Sequence, residues 1–193
     1  MISISTYQQC RRSVSMLAYG MVLAALTATA TSMAAEPVKR YALEHGGFLQ
    51  LKVPAGWREE IDAKTQPPII SFRPAEGNPF LVSVIPAQAA KGKRVPSRKQ
   101  LRDDVEQMAE AIRHFAVEGD KVTVKEFAGA SGPGFQFFAT DAAPAAGEFK
   151  YMTRGKLNVN DVSLTFTILT NDGQEAVVRS ALGMLKSASR VAR

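Results

Sequence analysis

The residues able to do chemistry are few and scattered. His45 precedes Gly46-Gly47, and His114 falls late in an amphipathic stretch; neither has a cysteine or a second histidine at ligand spacing, so the pair makes a poor zinc site. His114 reads as a structural residue beside the apolar stripe near a helix C-terminus, where a cation is favourable, and His45 as a loop or strand-end residue. Gly129-Ala130-Ser131-Gly132-Pro133-Gly134 mimics a nucleophile elbow or a phosphate loop. G-x-S-x-G would need glycine at 133, and no Gly-Lys-Ser/Thr follows, so a tight turn between strands explains the run. Asp141 and Glu148 stand at the ends of neighbouring strands, where two carboxylates could serve acid–base hydrolysis or isomerisation. No motif places a second group beside either, so a carboxylate-dependent hydrolase or isomerase of unknown substrate is the alternative reading, and no catalytic, cofactor or metal residue is assigned.

One charged window stands out. Lys91, Lys93, Arg94, Arg98 and Lys99 occur without an intervening acid, and two of them sit in the first turn of a helix, where positive charge opposes the helix dipole. An ordinary solvated loop carries such a window too; as a functional feature it is a contact for anionic lipid headgroups or an acidic partner. Trp57 is the single tryptophan, and Phe135, Phe137 and Phe138 crowd one strand, with Phe138 opposite the other two. Aromatics at strand spacing are core, so this strand is expected to lie centrally with apolar cover on both sides.

These residues are positioned by a patterned chain of 193 residues. Arg11-Arg12 precedes an apolar run from Val14 to Leu26, and Ser32-Met33-Ala34 supplies the small residues of a cleavage site. The run is too short for a membrane span, so residues 1–34 read as a signal peptide cut after Ala34. A periplasmic or secreted location is expected, with no integral membrane segment after cleavage. The single cysteine, Cys10, lies before the apolar run and leaves with the leader, which excludes both a lipid anchor at the cut and thiol chemistry in residues 35–193. The chain's net charge is +6, of which Arg11 and Arg12 leave with the leader; that is too mild for nucleic acid.

Period-two alternation predicts strands at 48–53, 69–73 and 80–85, the last two joined by the Pro74–Pro79 turn as a hairpin. From Ser97 the period becomes helical: Leu101, Val105, Met108, Ala109, Ile112, Phe115 and Ala116 share a face, Ser97 and Gln100 make a capping box, and a helix over 98–117 is expected. Strands follow at 121–127, 134–141, 149–159 and 162–170, the last two parted by Asn160-Asp161. A final helix capped by Asp172 ends near Ser187. Strands joined by short turns pair antiparallel, so the fold class is α+β: one antiparallel sheet of about six to seven strands with two long helices, one sheet face less covered than the other.

The segment Gly47-Phe48-Leu49-Gln50-Leu51-Lys52-Val53-Pro54-Ala55-Gly56-Trp57 resembles the opening of PsbP-like proteins, including the bacterial DcrB-type members. Ile70-Ser71-Phe72, Leu81-Val82-Ser83-Val84, the helix from Ser97, and Leu164–Thr170 followed by Met184-Leu185-Lys186-Ser187 resemble the later elements in order. The resemblance implies a single PsbP-like domain over 35–193, an α/β/α sandwich, and a non-enzymatic accessory or binding role without cofactor. The expected partner is an envelope protein or an anionic lipid surface.

Overall fold

The computed structural model describes residues 37–90 and 92–192. The leader, with Cys10, Arg11-Arg12 and the cut after Ala34, lies outside the described residues, as does Lys91. The chain forms β1 (Val38–Ala42), β2 (Phe48–Lys52), β3 (Trp57–Asp62), β4 (Ile69–Pro74), β5 (Leu81–Gln88), α1 (Arg98–Glu110), β6 (Lys125–Ala128), β7 (Pro133–Thr140), β8 (Tyr151–Val159), β9 (Val162–Thr170), α2 (Glu175–Lys186) and β10 (Ser189–Val191). Seven strands build an antiparallel sheet in the order β3-β4-β5-β9-β8-β7-β6, and a second sheet orders β1-β2-β10. The α+β expectation and the β4–β5 hairpin hold, and the three-stranded sheet is an addition. Asn160 turns β8 into β9 with a φ of 55°, a left-handed conformation that asparagine adopts more readily than most residues.

Strand alternation divides the large sheet into two unlike faces. On one, Ile70, Phe72, Val82, Val84, Leu157, Leu164, Phe166 and Ile168 join Leu49 and Leu51 of the small sheet and Ala181, Met184 and Leu185 of α2 in one buried cluster. Each large apolar side chain buried there stabilises the fold by about 1.5–3 kcal/mol. On the other face, α1 lays Leu101, Val105 and Ala109 over Phe135, Phe137 and Ala139 of β7. Beyond α1 this face turns polar: Ser71, Ser83, Thr167 and Arg154 stand opposite one another in a row across β4, β5, β9 and β8, all half-buried. The less covered side anticipated from the alternation is therefore this one.

Several local expectations are corrected. Helix α1 begins on its capping box, with the Gln100 N–H donating to Ser97 Oγ and the Ser97 N–H to Gln100 Oε1, but it stops at Glu110 rather than 117. The Val117 N–H donates to the Thr140 carbonyl (2.8 Å) and the Ala142 N–H to the Phe115 carbonyl (2.9 Å). These tertiary bonds capture the segment at the end of β7 and replace the helical ladder. Phe115 is consequently 69% exposed instead of buried. Strand β7 is second from the sheet edge, not central, and Phe138 is 46% exposed. The 121–127 strand shrinks to β6, preceded by a 3-10 turn over Gly119–Lys121. Asp172 does not cap α2; it accepts from Lys150 Nζ and from the Tyr151 hydroxyl. Trp57 does pack on the core, with its ring centroid 4.8 Å from that of Phe80.

Candidate functional site

Two regions present chemistry to solvent, and the first is apolar. Phe115 and Val117 project from the segment tied to β7, and Phe138 lies near the strand's end; all three are large apolar side chains left open. Phe115 borders a cavity of about 230 Å³ walled by Ile112, Phe149, Met152 and Leu169, with Asp141 and Lys150 among its polar lining. The surroundings are held by polar contacts. Phe138 stacks on Tyr151 at a centroid distance of 5.8 Å, and the Tyr151 hydroxyl donates to Asp172 Oδ1 (2.5 Å). Glu118 accepts from the Thr140 N–H (2.8 Å) and from its hydroxyl (2.7 Å), fixing the residue next to Val117.

Partial burial pushes the Glu118 carboxyl up, but the two Thr140 hydrogen bonds, with a backbone bond of its own, outweigh it and hold the group below its ordinary range. A carboxylate whose pKa is lower folded than unfolded contributes stability that is complete above the unfolded value of about 4.3 and is lost as pH falls through the folded one. Acid is therefore expected to loosen the Phe115–Glu118 segment. Amide hydrogen exchange at Val117 and Thr140, followed from pH 6 down to 3 and corrected for intrinsic rates, checks this; protection that does not decline in the Glu118 window contradicts it.

The second region lies on the polar sheet face, where residues 89–97 cross from β5 to α1. The crossing is pinned: the Ala89 N–H donates to the Asp161 carbonyl (2.8 Å), and Asn158 Nδ2 donates to the Pro96 carbonyl (2.7 Å). Below it is a cavity of about 260 Å³ bordered by Arg94, Pro96, Lys156, Ser163 and Thr165. Lys156 and Thr165 are register partners on β8 and β9, so ammonium and hydroxyl stand side by side on one face. Lys156 is oriented by Asp104 of α1 at 2.5 Å.

The basic window is distributed unevenly. Arg98 pairs with Glu126 of β6 (2.6 Å) and Lys99 with Asp103 one turn along α1 (2.7 Å), so part of its charge is compensated. Among the described residues neither Lys93 nor Arg94 makes an ion pair. Asp141 and Glu148 sit in the exposed β7–β8 connection, accepting from the Ala143 N–H (2.9 Å) and the Ala145 N–H (3.2 Å) respectively. Each closes a local turn. His45 is exposed in the β1–β2 turn, its N–H bonded to Gln88 Oε1, and His114 is exposed after α1. Gly129–Gly132 is the β6–β7 turn, closed by the Gly129 N–H on the Gly132 carbonyl, and Pro133 and Gly134 already belong to β7.

The arrangement of strands and helices can be placed among known folds. No family model matches the chain, and no curated protein matches it in sequence. Among solved structures it is similar to the solution structure of cyanobacterial PsbP from Synechocystis sp. PCC 6803, with a TM-score of 0.50 over 80% of this chain and 92% of that one, at 12% identity. The chain has a PsbP-like fold. At that identity the likeness concerns architecture, and the PsbP-like core positions both regions: α1 and the end of β7 frame the apolar one, and the β5–α1 crossing frames the polar one.

The polar region contains residues that sequence reading passed over. Ser163 and Thr165 were visible only as the solvent side of an alternating strand, and Lys156 carried no signal at all. Phe115 and Val117 were hidden because the helical period runs through Ile112, Phe115 and Ala116 without interruption.

Proposed function

We propose that this chain is an exported, non-catalytic binding protein of the cell envelope that docks a protein partner on the end of β7. The observation that carries the reading is the exposure of Phe115 and Val117 beside that end, with Phe115 bordering an apolar cavity. Large apolar side chains bordered by charged residues, here Glu118, Asp141 and Lys150, have the make-up of an interface core with its rim. The leader read from the sequence supports the periplasmic or secreted location, and the PsbP-like fold is compatible with an accessory role without dictating one. A photo-crosslinking residue at position 117, compared in cells with one at exposed Lys64 and one at exposed Glu76, both in turns flanking β4, tests this. A discrete adduct from 117 alone supports the site; equal labelling from all three, or none from 117, rejects it.

A second reading has its own observation. Lys93 and Arg94 lack carboxylate partners among the described residues, which leaves net positive charge on the β5–α1 crossing for an anionic surface, whereas Arg98 and Lys99 are paired with Glu126 and Asp103.

A further inference from the structure

We infer that the cavity under the β5–α1 crossing is a binding site for a tetrahedral oxyanion, a phosphate group in the first instance. The inference deepens the anionic-surface reading by giving it a pocket, and it is independent of the apolar end of β7.

Four features build the site. Its lining combines two cations, Arg94 and Lys156, with two hydroxyls, Ser163 and Thr165, on adjoining elements. A guanidinium offers a planar pair of N–H donors that matches phosphate, an ammonium adds a point charge, and hydroxyls complete the donor set. The only carboxylate engaged with either cation among the described residues is Asp104, on the α1 side of Lys156, so the lining keeps one uncompensated positive charge at Arg94. The backbone on either side of Arg94 is held, at Ala89 and again at Pro96, the latter by Asn158, which is only 7% exposed, and the Arg94 side chain itself is exposed at the mouth of the cavity. A buried amide that bonds a loop carbonyl fixes where that loop runs. The size also fits. At roughly 30 Å³ per water, a cavity of about 260 Å³ has room for an oxyanion and part of an organic substituent.

The site differs from a diffuse basic patch in which residues it needs. Lys93 and Lys99 add potential over the surface, but neither lines the cavity; Ser163 and Thr165 carry no charge yet are required. The charge explains attraction, and the hydroxyls explain why the group would settle there.

The test titrates the protein with inorganic phosphate and with glycerol 3-phosphate, following amide shifts of Ala89, Ser163 and Thr165 and the Arg94 side-chain N–H by nuclear magnetic resonance. Saturable shifts confined to these groups are expected. Both Arg94→Gln and Thr165→Val should weaken the binding at least ten-fold, with the melting temperature of each variant checked against the parent; Lys93→Gln should weaken it less than three-fold. Vesicles of phosphatidylglycerol and of phosphatidylcholine form the second arm. Sedimentation with phosphatidylglycerol that is competed by glycerol 3-phosphate and lost in Arg94→Gln identifies a lipid headgroup as the source of the phosphate; titration by the soluble compounds without sedimentation identifies a free phosphate compound. Absence of saturable shifts, or shifts unchanged in both Arg94→Gln and Thr165→Val, overturns the pocket. Vesicle binding that survives both substitutions overturns a lipid headgroup as the pocket's ligand, while leaving the broader surface reading in place.

Discussion

Replacing Phe115 and Val117 together by serine is expected to reduce partner affinity at least thirty-fold, while leaving the melting temperature unchanged within about 2 °C. The two halves of this expectation come from the same geometry. Both side chains are more than 60% exposed in the free protein, so their removal takes little from the core. Their backbone, by contrast, is tied to β7 through the Val117 N–H and the Phe115 carbonyl, bonds that serine preserves. At an interface the accounting reverses, because a buried aromatic anchor typically contributes 2 kcal/mol or more, and RT ln 10 is about 1.4 kcal/mol. Pull-down or titration against the crosslinked partner, with thermal melting alongside, is the measurement. An unchanged affinity removes the docking role of this end; a large fall in melting temperature shows that these side chains are structural after all.

The opposite pattern is expected at Gly155, in the middle of β8. A Cβ there would run into the backbone carbonyl of Phe135 on β7, would approach the Phe166 ring to 2.8 Å and would lie 2.9 Å from the Cα of Gln136. Two of these three neighbours are backbone and cannot rotate away. Gly155→Ala should therefore force β7 and β8 apart at this point, destabilising the fold by about 3 kcal/mol or more, or about 10 °C in melting temperature for a chain of this size. Denaturant unfolding measures it. Combining it with Phe166→Leu, which relieves the ring contact only, should recover little, because the carbonyl obstruction remains; full recovery would mean that the ring alone was responsible. Since a domain is held by only about 5–15 kcal/mol, the substitution reaches a substantial part of the whole.

These two residues also show where sequence reading succeeds and fails. The Ser97–Gln100 box and the alternation of Val162–Thr170 were legible because the interactions that enforce them lie within a few residues. Phe115 misled because local periodicity kept predicting a helix while hydrogen bonds to the Thr140 carbonyl and from the Ala142 N–H, both distant in sequence, had the stronger claim on that backbone. Strand β3, Trp57-Arg58-Glu59-Glu60-Ile61-Asp62, was invisible because an edge strand needs no buried face; charges on it blunt the open edge instead. Glu59 is one of them, and it accepts from the Tyr41 hydroxyl at 2.7 Å, joining the two sheets. In the polar region, Arg94 was legible by its charge, but its companions were not. Lys156 and Thr165 are nine residues apart in the chain and meet only through β8–β9 register, which single-sequence patterning does not reveal.

The pairing of β10 with β2 has a consequence for kinetics. Ser189 stands opposite Gln50, so the three-stranded sheet joins segments from far ends of the described chain. A contact of such sequence separation is slow to form, because the entropy of closing the loop between its strands must be met before the pairing returns anything. The β6–β9 meander, built from neighbouring strands, can assemble early; the small sheet, with Leu49 and Leu51 pressed against α2, must close late. Until it does, one flank of the main core stays open to water. The small sheet is thus expected to close after the β3–β5 and β6–β9 meanders, each of which joins neighbouring strands.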